Sequence, residues 1–376
     1  MDRGEKEKNG NKNYPLDMIY FYLTEGCNLR CRHCWIQPKY QTEYRSYSAL
    51  DFGSFRAIIE QAKPMGLSSV KLTGGEPLLH PRIHEILNLT REENLYLIIE
   101  TNGTLCTQEL SREIAQCKTP SVGVSLDGAN AETHEWVRGV AGCFDATLKG
   151  IRNLAEAGLK PQVIMTLMRR NKDQIDAMIQ LAKSLGAGSV KFNMMQPIAK
   201  GEKMHWDGEA VPIEELIRLG QWVENDLSAS TDLKLYYHHP LAFRPLSKMF
   251  GENRDGCGRC GILGILGVLA NGSYAFCGIG EVVPELVFGH AETVPLKEVW
   301  DTHSLLLEIR QGMPHRLEGI CENCLMKKIC LGSCIAQNYY RHKSLWSSFW
   351  YCEEAESLGL FPKSRTMQQI TQRGNH

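Results

Sequence analysis

Six strand-like runs, each followed by a helix-like run or a turn-rich connection, fill the first half of this chain and constrain its fold more than any other feature. "MIYFYLT" (residues 18–24) is a continuous apolar run suited to a buried parallel strand. "SSVKLTGGEP" (68–77), "LYLIIETNG" (95–103), "SVGVSLDG" (121–128), "PQVIMTLM" (161–168) and "SVKFNMM" (189–195) are the next strands. Between them lie helical patterns at residues 52–63, 81–93, 107–117, 144–158 and 172–186. Pro81 suits a first helical turn, Thr107 an N-cap, and Gly158 a helix end. Alternation of this kind predicts a parallel sheet covered by helices. A complete eight-unit barrel takes about 250 residues, so six units in fewer predict an α/β fold with a partial, open (β/α)6 TIM-like barrel. In barrels of this type chemistry gathers at the C-terminal ends of the strands.

Near residue 240 the rhythm stops. "ILGVLANGSYAF" (265–276) is two apolar runs joined by Asn271-Gly272, a hairpin signal. The predicted organisation is a disordered polar tail over 1–14, the barrel over 15–235, a small cysteine-rich domain over 236–360 and a polar tail over 361–376. Formal net charge is −1 and no long basic run occurs, so composition offers nothing to nucleic acid. No apolar run reaches the 18 residues needed to span a bilayer, and the polar N-terminus lacks a signal core, which predicts a cytoplasmic protein with no membrane partner.

Fourteen cysteines are many for a reducing compartment, where metal binding is the better reading than disulfides. Cys27, Cys31 and Cys34 follow the first strand in the loop "TEGCNLRCRHCW". Thiolate-only ligation suits zinc or an iron–sulfur cluster. A closed zinc site needs a fourth ligand, and the adjacent His33 is cramped between two cysteines. A cluster can leave its fourth iron open to a small molecule. The later cysteines run Cys257-x2-Cys260, Cys277, then Cys321-x2-Cys324-x5-Cys330-x3-Cys334-x17-Cys352. Eight thiols without a histidine pattern suggest two four-cysteine sites, with a zinc ribbon as the alternative. Cys106, Cys117 and Cys143 stand outside both patterns and read as structural residues.

The C-x3-C-x2-C loop, with "GGEP" (74–77) and "SLDG" (125–128) at later strand ends, resembles the radical S-adenosylmethionine (SAM) enzymes. The resemblance covers most of the first 200 residues. It implies a 4Fe–4S cluster on Cys27, Cys31 and Cys34, with SAM chelating the open iron. By the same resemblance Gly74, Gly75 and Glu76 receive the methionine amino group, which suits close backbone approach and an acidic side chain. Ser125 and Asp127 meet the ribose hydroxyls, and Asn102 and Asn193 hold the carboxylate and adenine. The family usually has an aromatic residue where this chain has His33, which can still stack on adenine.

The later cysteines resemble the SPASM extension of a subset of this family. That resemblance implies two auxiliary 4Fe–4S clusters with interleaved ligands: Cys257, Cys260, Cys277 and Cys334 for the first, and Cys321, Cys324, Cys330 and Cys352 for the second. The implied activity is reductive cleavage of SAM to a 5′-deoxyadenosyl radical that abstracts a substrate hydrogen atom, fed by an electron donor such as flavodoxin or ferredoxin. Members with this extension commonly modify peptides or proteins, which favours a thioether or carbon–carbon crosslink in a ribosomally made peptide. Oxidation of a sulfatase residue is disfavoured, because sulfatase-maturing relatives carry an aspartate where this chain has Gly278. A small-molecule substrate, such as a haem precursor or sugar alcohol, is the alternative. With 26 residues ahead of Cys27, a leader-binding domain is expected from a separate protein, or the barrel mouth itself binds the leader. No catalytic acid or base follows from the resemblance; Tyr236, His238 and His239 near the domain junction read equally well as surface or core.

Overall fold

A computed structural model of the protein describes residues 14–251 and 260–367. Cys257, most of the expected N-terminal tail and residues 368–376 lie outside the described residues. Seven parallel strands form the barrel: β1 (Met18–Tyr22), β2 (Ser69–Thr73), β3 (Tyr96–Thr101), β4 (Lys118–Ser125), β5 (Gln162–Leu167), β6 (Ser189–Met194) and β7 (Lys234–His238). They lie in chain order across one sheet. The helices α1 (Phe52–Ala62), α2 (Ile83–Glu92), α3 (Gln108–Ala115), α4 (Ala131–Arg138), α5 (Cys143–Glu156) and α6 (Ile175–Ser184) connect the first six strands. Their apolar faces meet the sheet in one core, with Phe21, Phe55, Ile58, Val70 and Ile99 wholly shielded from solvent.

Local chemistry places the helix ends. Asp51 caps α1 by accepting from the Ser54 N–H at 2.9 Å, and Thr107 caps α3 through the Leu110 N–H at 3.2 Å. Gly158 follows α5 with φ +88°, a conformation that favours glycine. Pro81 stands before α2 rather than in its first turn, because Arg82 is the N-cap. The short α4 is absent from the sequence reading. Its eight residues are too few for a clear periodic signal, though Asn130 caps it through the Thr133 N–H.

The cysteine-rich part does not stand apart from the barrel. Strand β8 (Ile265–Val268) pairs in parallel with β1, Met18 facing Ile265 and Tyr20 facing Gly267. Strands β9 (Ser273–Ala275) and β10 (Val287–His290) add antiparallel neighbours, giving a ten-stranded sheet in the order β10-β9-β8-β1-β2-β3-β4-β5-β6-β7. At the other edge the expected boundary at 235/236 falls inside β7, where Leu235 and Tyr237 are buried against the barrel. Backbone pairing, rather than a linker, joins the two parts. The expected tails are also shorter at their inner ends. Tyr14 donates its hydroxyl to Arg310 O at 3.2 Å, and its carbonyl accepts from Trp300 Nε1 at 2.8 Å. Residues 361–367 lie against the cysteine-rich region, with Phe361 buried and Leu325 N–H donating to Arg365 O at 2.8 Å.

Candidate active site

The cysteine loop is laced to the "GGEP" turn at the mouth of the barrel. The Gly75 N–H donates to Thr24 O at 3.0 Å, the Glu76 N–H to Gly26 O at 3.0 Å, and Thr24 Oγ1 to Glu76 O at 3.1 Å. Gly74 has φ +128°, and a Cβ on Gly75 would stand 2.0 Å from Gly26 O. Both glycines are therefore required by close backbone approach. On the other side the loop is held by α4, with Arg30 N–H donating to Arg138 O and Arg32 N–H to Val137 O, both at 2.9 Å.

A cavity of about 540 Å³ opens beneath this loop. It gathers Cys27, Cys31 and Cys34 with His33, Gly74, Gly75, Glu76, Asn102, Ser125 and Asn193, all at or near strand ends. Cys260, Cys277 and Cys334 line the same cavity. Cys277 reaches it because Gly267 has no side chain; a Cβ there would lie 2.7 Å from the Cys277 Cα. Cys321, Cys324, Cys330 and Cys352 surround a separate small cavity. Among the described residues no three His, Cys, Asp or Glu side chains already converge as ligands of a single metal ion.

Asp127 does not line the large cavity. It is fully buried behind the wall, where Arg138 Nη2 pairs with Oδ2 at 2.6 Å and the Thr166 N–H donates to Oδ1 at 2.7 Å. Burial opposes its ionisation, but the Arg138 guanidinium outweighs it and holds the carboxyl below its usual range. The expected ribose contact at Asp127 thus meets a structural ion pair. His33 stands 3.8 Å from Asp127 Oδ2, and burial pushes its imidazole down to about 4, so it is neutral at pH 7. The Glu76 carboxylate faces inward as well, accepting from Thr101 Oγ1 at 2.6 Å, Asn102 N at 2.8 Å and Leu78 N at 3.1 Å. The Asn102 amide donates to Asn28 Oδ1 at 2.8 Å and accepts from Thr104 Oγ1 at 2.7 Å, while Asn193 Oδ1 is buried without a partner.

Arg138 is a site residue that the sequence reading missed. Its guanidinium lines the cavity, pairs with Asp127 and donates to Cys31 Sγ at 3.5 Å. The signal was present in Gly139, whose φ of +73° ends α4 and whose Cβ would stand 2.7 Å from Arg30 O. Cys106, Cys117 and Cys143 are buried outside the cavity, and Cys143 packs with Cys27 and Leu29.

The buried thiols fit an electron-poor metal group. Burial pushes Cys34 up to about 11, Cys277 and Cys330 up to about 12, and Cys27 and Cys352 higher still, so each favours its neutral form until a cation draws the proton off. Three thiols at an open cavity beside glycine-rich backbone and the unpartnered Asn193 Oδ1 can hold a cluster with a small polar ligand next to it.

Fold and site together define a radical SAM domain, and residues 21–182 match the Radical SAM superfamily. Residues 21–182 are thus a radical SAM domain, and members of that superfamily bind a 4Fe–4S cluster and SAM. Over 330 residues it is 29% identical to the AdoMet-dependent heme synthase of Methanosarcina barkeri, covering 86% of this chain and 92% of that protein. It is 26% identical over 324 residues to the mycofactocin maturase MftC of Mycobacterium tuberculosis, covering 85% and 78%. The fold is shared with Streptococcus suis SuiB bound to S-adenosylmethionine, at a TM-score of 0.70 and 20% identity over 91% of this chain and 78% of that one. The cysteine-rich C-terminal region is present, as in SPASM-type maturases. No helix among the described residues is long and apolar enough to cross a membrane.

Proposed function

We propose that this enzyme modifies a ribosomally made peptide, installing a thioether or carbon–carbon crosslink, with SAM as radical source and two auxiliary clusters. The observation that carries the reading is the single cavity lined by both the three-cysteine loop and Cys260, Cys277 and Cys334. A substrate in that cavity would lie beside both cysteine sets, the radical source and the electron acceptor of the proposed reaction. When bound, SAM on a reduced cluster supplies a 5′-deoxyadenosyl radical that removes a hydrogen atom. The chain's own part is placement. Cys27, Cys31 and Cys34 hold the cluster; Gly74 to Glu76 receive the methionine ammonium; Asn102 lies beside them for its carboxylate, and Arg138, held by Asp127, adds positive charge at the cavity wall. Ser125 and Asn193 supply neutral polar contacts for ribose and adenine. Cys257, Cys260, Cys277 and Cys334 form the first auxiliary set, and Cys321, Cys324, Cys330 and Cys352 the second. A flavodoxin or ferredoxin delivers the electron. The similarity to the mycofactocin maturase MftC supports this choice of substrate.

Similarity to an AdoMet-dependent heme synthase over 92% of its length favours a second reading, a tetrapyrrole substrate in the same cavity. Anaerobic turnover of a peptide encoded beside the gene separates the two. A loss of about 2 Da per crosslink supports the peptide reading. An unchanged peptide together with turnover of Fe-coproporphyrin III supports the tetrapyrrole reading instead.

A further inference from the structure

One layer below the strand ends the cavity becomes charged. Side chains alternate faces along a strand, so Lys71 shares the inward face of β2 with Thr73, and Lys191 that of β6 with Asn193. All four line the cavity. Lys71 Nζ pairs with Glu100 Oε1 at 2.7 Å and stands 4.8 Å from the Tyr20 ring centre. Lys191 makes no hydrogen bond or ion pair among the described residues, although Glu100 and Lys71 both act on it through their fields. The surrounding protein and then Lys191 push the neighbouring His238 imidazole well below its usual range, so it adds no charge at pH 7. Two lysines therefore flank one carboxylate; Lys71 pairs with it directly, while burial pushes Lys191 below its usual range against the pull of Glu100.

A partly desolvated cation without a counterion is costly to keep unless something pairs with it. Of the described thiols of the first auxiliary set, Cys260 and Cys277 feel the field of Lys71. From this geometry we infer that Lys191, backed by the Lys71–Glu100 pair, binds a carboxylate of the substrate one layer below the strand ends. The inference rests on the cavity being the reaction chamber. An ammonium is a compact charge with three donors, matched by one carboxylate. A phosphate dianion fits less well, because Glu100 already contributes a negative charge at the site. The carboxylate can come from an acidic peptide side chain or from a tetrapyrrole substituent.

The test uses the full chain with clusters and SAM, titrated calorimetrically with two probe pairs. One pair is N-acetyl-Ala-Glu-Ala amide and its Gln analogue; the other is Fe-coproporphyrin III and its methyl ester. At least one acid form should bind about 10- to 100-fold more tightly than its neutral counterpart. The pair that discriminates identifies the source of the carboxylate. Lys191→Met and Lys191→Gln should abolish the preference and Lys191→Arg should keep most of it. Equal binding of acid and neutral forms in both pairs, or an acid preference that survives in both neutral variants, overturns the proposal. SAM cleavage on reduction, measured on the same preparations, reports separately on the proposed reaction: lost cleavage with an intact acid preference sinks the reaction and leaves the subsite standing.

Discussion

The guanidinium of Arg138 donates to Cys31 Sγ at 3.5 Å while its other nitrogen pairs with the buried Asp127 at 2.6 Å. One side chain thus links a cluster ligand to the protein interior. Hydrogen bonds and positive charge at ligand sulfur favour the reduced cluster. Arg138→Met should lower the midpoint potential of the SAM cluster, weaken SAM binding, and cost about 3–5 kcal/mol of stability by leaving Asp127 unpaired. Redox titration by electron paramagnetic resonance checks the first effect, and an unchanged potential would refute the link.

Gly75 should tolerate no side chain. Its missing Cβ leaves room for Gly26 O, to which Glu76 N–H is bonded. Gly75→Ala should part the two loops, costing about 1–3 kcal/mol and most of the SAM affinity. Equilibrium dialysis with labelled SAM reads the second effect directly.

His134 predicts an acid limb in stability. Its Nδ1 accepts from the Asp127 N–H at 3.1 Å, and burial, then Arg138, push it down to about 3. Folded His134 is neutral where the unfolded imidazole titrates near 6.5. Its contribution is complete above that value and is lost as pH falls toward 3, at about 1.4 kcal/mol per pH unit. His134→Gln keeps an acceptor but does not titrate. Urea unfolding of the two proteins should therefore converge between pH 6.5 and 5, and parallel curves would contradict the assignment.

The cysteines should sort by cavity. Cys352→Ala should remove about four irons of the full complement and leave the SAM cluster's spectrum intact, because Cys352 shares its small cavity with Cys321, Cys324 and Cys330. Mass spectrometry of bound metal, finding zinc there instead, would favour the ribbon alternative.

The six βα units and the strand-end positions of Gly74, Asn102, Ser125 and Asn193 were legible because apolar periodicity and Gly turns are local signals. Three things were not. The pairing of β8 with β1 joins residues about 250 apart in sequence, a contact no local pattern encodes. Asp127 read as a ligand because its strand-end place is visible, while the Arg138 partner that turns it inward lies on a short helix with weak periodicity. Lys71 and Lys191 sat inside runs taken as core strand, and only the inward face of an open barrel gives them a role.

The most direct test of the account is reduction of the anaerobically reconstituted protein with SAM, followed by chromatography for 5′-deoxyadenosine. The account predicts its formation by the wild-type chain and its loss in Cys31→Ala and Cys34→Ala. An iron-loaded wild-type protein that leaves SAM intact under reduction would contradict it.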